Sequence, residues 1–233
     1  MFEELRARVT VANLALVDAG LVVLTFGNAS AADREAGVMA IKPSGVAYDS
    51  LRPDDVPVVD LATGAVVDGK SRPSSDAPTH LVLYRAFPGV RSVVHTHSPF
   101  ATAWAQAQRE LLCLGTTHAD HFHGPVPVTR QLTAAEIEGD YEERTGAVIV
   151  EAFAERGLGP LELPAALVAS HGPFVWGTDV EDAVENAVAL EAVAASAYRS
   201  LQLAPGLEGI PAELLEKHFS RKHGAAAYYG QPP

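Results

Sequence analysis

Nine histidines are spread along the 233 residues. Two of them stand one residue apart in Ser92-Val93-Val94-His95-Thr96-His97-Ser98. Val93 and Val94, following a Pro88-Gly89 turn, predict a strand here. Alternation along a strand turns His95 and His97 to the same face. Their Cα atoms then lie roughly 6–7 Å apart at about 3.3 Å rise per residue. Two imidazoles converging from that spacing can hold one divalent cation at about 2.0–2.1 Å per nitrogen. His-x-His pairs also arise by chance, so the rest of the chain has to decide. His171 closes the apolar run 166–170 directly before Gly172-Pro173, a place where a side chain can face a cleft. It is the natural third nitrogen, and three histidines with an open position are the pattern of a catalytic zinc site. Asp76 is either a fourth ligand or a helix cap, and spacing alone favours the cap.

Three donor-rich turns accompany these groups: Gly27-Asn28, Ser44-Gly45 and Ser74-Ser75. The last precedes a predicted helix, whose free N–H groups and dipole favour an anion. Lys42 lies two residues before Ser44 and can add charge. With a metal, these turns suggest a small phosphorylated substrate. Thr116-Thr117-His118-Ala119-Asp120-His121-Phe122-His123 is equally readable as a solvated loop or as an acid/base centre on Asp120 with histidines around it. His218, Arg221 and His223 at the last helix read as charge favoured by a helix C-terminus.

The elements that must carry these residues follow from periodicity. Phe2, Leu5, Val9, Ala12 and Leu16 form the stripe of an amphipathic helix, with Gly20 at its end. Residues 21–26 and 38–41 read as strands, and 56–60 with 65–67 as a hairpin around Thr63-Gly64. A helix starts after Asp76, the histidine strand follows, and another helix covers about 99–108. Residues 111–115, 126–129, 166–170 and 174–176 read as strands. Thr133-Ala-Ala-Glu136 and Thr178-Asp-Val-Glu181 are capping-box patterns. Residues 142–156 read as helix, either broken at Gly146 or carried through it. A long alanine-rich helix reaches about 203, and a last helix spans 211–223. Short turns between strands point to an α/β chain with a mixed, mostly antiparallel sheet covered by helices, and the length allows one large domain or two small ones. Net charge is −12, which disfavours a nucleic-acid partner. No apolar run nears the ~20 residues of a membrane span. The acidic start lacks the base of a signal peptide, and a single cysteine suits a reducing, cytoplasmic setting.

The chain resembles the L-ribulose-5-phosphate 4-epimerases of the class II aldolase/epimerase superfamily. The resemblance rests on Leu24-Thr25-Phe26-Gly27-Asn28-Ala29-Ser30, Ile41-Lys42-Pro43-Ser44-Gly45-Val46, Pro73-Ser74-Ser75-Asp76-Ala77-Pro78-Thr79-His80 and Val94-His95-Thr96-His97-Ser98. It continues through Gly115-Thr116-Thr117-His118-Ala119-Asp120, Ser170-His171-Gly172-Pro173-Phe174, and the stretch from Lys217-His218 to Ala227-Tyr228-Tyr229-Gly230. It implies a three-layer α/β/α fold in a single domain over 1–233 and interconversion of L-ribulose 5-phosphate and D-xylulose 5-phosphate by retro-aldol cleavage and re-addition across C3–C4, as in arabinose catabolism. It implies zinc, with manganese or cobalt as substitutes, on His95, His97, His171 and Asp76, which reverses the cap reading of Asp76. Asp120 and Tyr229 become the acid/base pair, and Gly27, Asn28, Lys42, Ser44, Gly45, Ser74 and Ser75 the phosphate site. Thr116, His218 and Arg221 join the substrate-binding set. The family's tail tyrosine comes from a neighbouring subunit, so a homotetramer with interfacial sites is implied. His121-Phe122-His123 departs from the aromatic hydroxyls expected there and offers an altered Asp120 loop or an adventitious metal site. Two other readings compete. In an aldolase that releases its aldehyde, glutamate is expected at position 76, and aspartate argues against it. In a non-catalytic adaptor of the same fold, loss of the histidines or of the acid/base residues is expected.

Overall fold

The computed structural model describes residues 2–223 and 227–228. Helix α1 (Glu3–Asp18) buries Leu5, Val9, Ala12 and Leu16, the stripe read from sequence. Strands β1 (Asn28–Asp33), β2 (Val38–Ile41), β3 (Val58–Asp60) and β4 (Val66–Asp68) follow. Then come α2 (Ala77–Ala86), β5 (Ser92–His95), α3 (Pro99–Gln106), α4 (Thr116–Ala119), α5 (Ala134–Glu138) and α6 (Tyr141–Arg156). Strands β6 (Ala165–Leu167) and β7 (Pro173–Gly177), then α7 (Val180–Leu203) and α8 (Ala212–Lys222), complete the order. Among the described residues the strands form one sheet, β4-β3-β2-β1-β5-β7-β6. Every strand pair in it is antiparallel, and the parallel contact is an isolated bridge between Val128 and Leu167.

The sheet is covered on both faces. On one, α1 and α7 pack together against the central strands. Asn13 of α1 is fully buried and locks onto β1: its Oδ1 accepts from Ala29 N at 2.9 Å and its Nδ2 donates to Ala29 O at 3.1 Å. On the other, α2 and α6 pack side by side, with Phe87 and Phe153 both against Trp176 of β7. Gly146 lets α6 run unbroken past α2, because a Cβ there would sit 2.7 Å from Val82 Cβ and 3.0 Å from Thr79 O.

Several expectations are corrected. Residues 21–26 are not a strand; Leu21 is buried, 23–26 are exposed around a turn at Leu24-Thr25 with Leu24 at φ 55°, and the strand begins at Asn28. The slot beside β5 is the middle of the sheet, closed by α1 above and α2 below, so the small run Asn-Ala-Ser-Ala-Ala fits it in spite of weak strand propensity. Residues 111–115 and 126–129 contribute isolated bridges at Leu111–Val126 and Val128–Leu167, not strands. At the start of α7 the cap is Asp179, accepting from Asp182 N at 2.8 Å, one residue later than the Thr178 pattern suggests. The Thr133 capping box is present as read.

Candidate metal centre and cleft

Strand register builds the site. Asn28 pairs with His95, and His95 with Phe174, so three side chains on the α2 face stand in a row across β1, β5 and β7. The Phe174 ring stacks on His95 with centroids 4.2 Å apart and planes 14° apart. His95 Nδ1 donates to the Pro173 carbonyl at 2.9 Å. A carbonyl only accepts, so Nδ1 carries the proton and Nε2 keeps a bare lone pair. Burial pushes the His95 pKa down to about 3, against the pull of Asp76, and the ring is neutral at physiological pH.

β5 stops at His95, so His97 is not presented by strand alternation as the spacing suggested. It lies on the three-residue link 96–98 before α3, and still its Nε2 comes within 3.1 Å of His95 Nε2. His171 sits on the turn between β6 and β7, where His171 N donates to Val168 O and Val168 N to Gly172 O. Ser170 beside it has φ 62°, and Gln131 Nε2 holds its hydroxyl at 2.7 Å. The Tyr141 hydroxyl lies 3.4 Å from His171 Nδ1. Burial lowers the pKa of both His97 and His171, with the neighbouring imidazole adding to it at His171.

One nitrogen from each of the three rings lies within 4.8 Å of the others. A 3.1 Å gap is what two nitrogens at about 2.0–2.1 Å from one ion present at an angle near 100°. Neutral, oriented, mutually converging imidazoles therefore fit a divalent metal. Asp76 is at the N-cap position of α2, but its side chain caps nothing, which corrects the cap reading. Its Oδ2 accepts from Asn28 Nδ2 at 2.6 Å. Burial raises its pKa, but the His95 and His80 rings and the Asn28 bond outweigh that and hold it below the ordinary value.

The histidines and Asp76 line a cleft of about 380 Å³ together with Gly27, Asn28, Lys42, Ser44, Gly45, Ser74 and Ser75. Every residue expected at the phosphate site is thus beside the expected metal ligands. Asn28 Nδ2 also donates to Ser74 Oγ at 3.1 Å, while its buried Oδ1 has no partner among the described residues. Lys42 Nζ donates to Val46 O at 2.7 Å and lies 4.7 Å from the centre of the Tyr48 ring.

The other predicted residues are placed elsewhere in the chain. Asp120 ends α4 and is gripped by α8: Arg221 Nε and Nη2 donate to its two oxygens at 2.8 and 2.6 Å, and His218 Nδ1 lies 3.1 Å from Oδ1. Burial raises the Asp120 pKa, but Arg221 and His218 more than offset it and keep the carboxylate ionised. Thr116 lines a separate cavity against α7, with Thr117, His118, Ser196 and Ser200. None of these residues lines the metal cleft. Tyr229 lies outside the described residues. His123 meets Glu216 at 3.1 Å and His121 faces Lys222 and Glu185; among the described residues the sole three-group metal-ligating cluster is His95, His97 and His171. Spacing missed Phe174, Tyr141 and the Pro173 carbonyl as supports. A backbone oxygen has no sequence signature, and nothing ties Tyr141 to His171 before folding.

The description "Class II Aldolase and Adducin N-terminal domain" matches residues 7–198. The chain belongs to this family. A protein of Salmonella paratyphi A named L-ribulose-5-phosphate 4-epimerase UlaF is 52% identical over 229 residues, 98% of this chain and 99% of its own length. One of Salmonella typhi with the same name matches equally. Among solved structures, an L-fuculose 1-phosphate aldolase superposes with a TM-score of 0.78 at 24% identity, covering 94% of this chain and 95% of its own. YgbL of Klebsiella pneumoniae, described as a putative aldolase/epimerase/decarboxylase, has a TM-score of 0.72 at 26% identity over 93% of this chain and 99% of its own. The first of these likenesses carries the fold alone. The α/β/α architecture of this class II aldolase-family chain is therefore the family's, and metal dependence is the family's chemistry.

Proposed function

We propose that this chain is an L-ribulose-5-phosphate 4-epimerase, interconverting L-ribulose 5-phosphate and D-xylulose 5-phosphate by breaking and remaking C3–C4. The observation that carries it is 52% identity along essentially the full length of relatives bearing that name. The converging imidazoles of His95, His97 and His171, with Asp76 beside them, would hold zinc, for which manganese or cobalt would substitute. Such a cation supplies Lewis-acid stabilisation of the negative charge that develops when a bond next to a carbonyl is cut. The chain's own groups do the rest. Lys42, the hydroxyls of Ser44, Ser74 and Ser75, and the Gly27-Asn28 and Gly45 turns hold the phosphate and keep the cleaved fragment from leaving. Asn28 orients the Asp76 carboxylate. Asp120, ionised by Arg221 and His218, and Tyr229 move the C4 hydroxyl proton on opposite sides of the carbon. Thr116, His218 and Arg221 stand with Asp120 away from this chain's own cleft and would meet the substrate held by a neighbouring copy.

Asp120 and the cleft belong to different regions of one chain, which supports a homotetramer in which a neighbouring copy completes each site. The single cysteine, Cys113, is buried and its thiol is pushed up to about 11 by burial, in keeping with a cytoplasmic protein of one domain. The test is to supply L-ribulose 5-phosphate and follow D-xylulose 5-phosphate, and in parallel dihydroxyacetone with glycolaldehyde phosphate. Epimerisation outpacing condensation is expected. Fast net condensation without epimerisation makes the chain an aldolase, and neither reaction makes it an adaptor.

A further inference from the structure

We propose that Glu191, on α7, is a positioning residue for His97. The inference rests on the reading of His97 as a metal ligand. His97 lies beyond the last residue of β5, so no strand register holds it. Thr96 N reaches Pro173 O only at 3.5 Å. The bend carrying His97 is therefore set from two ends, the sheet at His95 and the first turn of α3. That turn has no cap of its own: the Ser98 side chain makes no capping bond, and Pro99 has no N–H. The next two N–H groups are taken by a carboxylate about ninety residues away. Phe100 N donates to Glu191 Oε1 at 2.8 Å and Ala101 N to Oε2 at 2.9 Å.

A charged fork on two consecutive amides at the positive end of a helix is a strong, directional contact. Trp104 Nε1, donating to Ala194 O at 3.1 Å, ties α3 to α7 one turn further on. Glu191 thus dictates where α3 begins and, through Ser98, where the His97 ring stands opposite His95. A cap that serves stability alone makes a different prediction: removing it would lower melting temperature and leave the three nitrogens in place.

The experiment uses the full chain with Glu191→Ala, Glu191→Gln and, as a control, His97→Asn. Zn2+ affinity is read by competition with a chromogenic chelator, geometry from the visible bands of the Co2+ form, and folding from melting temperature. Glu191→Ala is expected to weaken Zn2+ binding by about 10–100-fold, the span seen for groups that orient metal ligands, and to alter the Co2+ bands below the melting transition. Glu191→Gln, retaining one acceptor oxygen, is expected to recover part of the affinity. A lower melting temperature with unchanged Zn2+ affinity and Co2+ spectrum overturns the proposal. If Glu191→Ala does not fold, Glu191→Gln decides alone: weakened Zn2+ binding upholds the proposal and unchanged binding overturns it. His97→Asn with undiminished Zn2+ affinity removes the metal-site reading itself, and the proposal with it.

Discussion

Gly27 and Gly45 line the same cleft and share a left-handed backbone, at φ 85° and 70°. Their surroundings differ. A Cβ on Gly45 would meet open space, whereas one on Gly27 would lie 2.7 Å from the His95 carbonyl oxygen, 3.1 Å from Val22 Cγ1 and 3.3 Å from Thr96 Cα. Gly45→Ala therefore carries only the left-handed cost, about 1–2 kcal/mol. At about 2–4 °C per kcal/mol for a chain of this size, its melting temperature should fall by a few degrees. Gly27→Ala carries the same cost plus a collision with backbone. The obstacle cannot swing aside, because Tyr48 Oη pins the Gly27 carbonyl at 2.8 Å and β5 is a central strand. Overpacking adds about 1–3 kcal/mol, for a total of roughly 2–5 kcal/mol. The displaced atoms belong to His95 and Thr96, so Zn2+ affinity should fall as well, by at least tenfold. Differential scanning calorimetry and chelator competition on both variants provide the comparison. If Gly27→Ala is no worse than Gly45→Ala on either measure, the close approach of the β1 entry to the histidine strand is not a constraint and the reasoning fails.

Other outcomes follow from the same geometry. His80 and His118 are buried and neutral, each with its pKa pushed down to about 4, chiefly by burial. Unfolded, each takes a proton near pH 6.5, so stability is full above that pH and declines by about 1.4 kcal/mol per unit per histidine down to about pH 4; urea unfolding of metal-free protein should lose several kcal/mol between pH 7 and 4.5, and a flat profile refutes it. Asn13→Leu leaves the buried Ala29 N–H without its α1 partner, while the Ala29 carbonyl keeps Lys42 N at 3.3 Å, and should cost about 1–3 kcal/mol, read from denaturant midpoints. Tyr229→Phe should lower turnover while metal content stays the same. If, as proposed, a neighbouring copy supplies the tyrosine, mixing it with His97→Asn subunits under exchanging conditions should restore part of the activity; no recovery counts against sites shared between copies.

Local signals in the chain already marked the helices other than the short α4, and the outer hairpin, because amphipathic stripes, capping boxes and Thr63-Gly64 act over a few residues. They also marked most of the groups that line the cleft, though not Thr25, Phe26 or Pro43. Ligand chemistry is a property of residue type, and His95, His97, His171 and the three Ser- and Gly-rich turns offer it wherever they stand. What the chain could not declare was how those groups are held. A strand of Asn-Ala-Ser-Ala-Ala is chosen by two covering helices, not by its own propensity, and so residues 21–26, more apolar, were the better strand on paper and the wrong one in space. Asp76 looks like a cap until Asn28, brought beside it by the pairing of β1 with β5, claims its oxygen. His97 owes its place to the bend after β5, and the carboxylate that sets α3 comes from a helix far along the chain. These are long-range contacts, and only closure of the sheet between its two helical layers brings the partners within a hydrogen bond of each other.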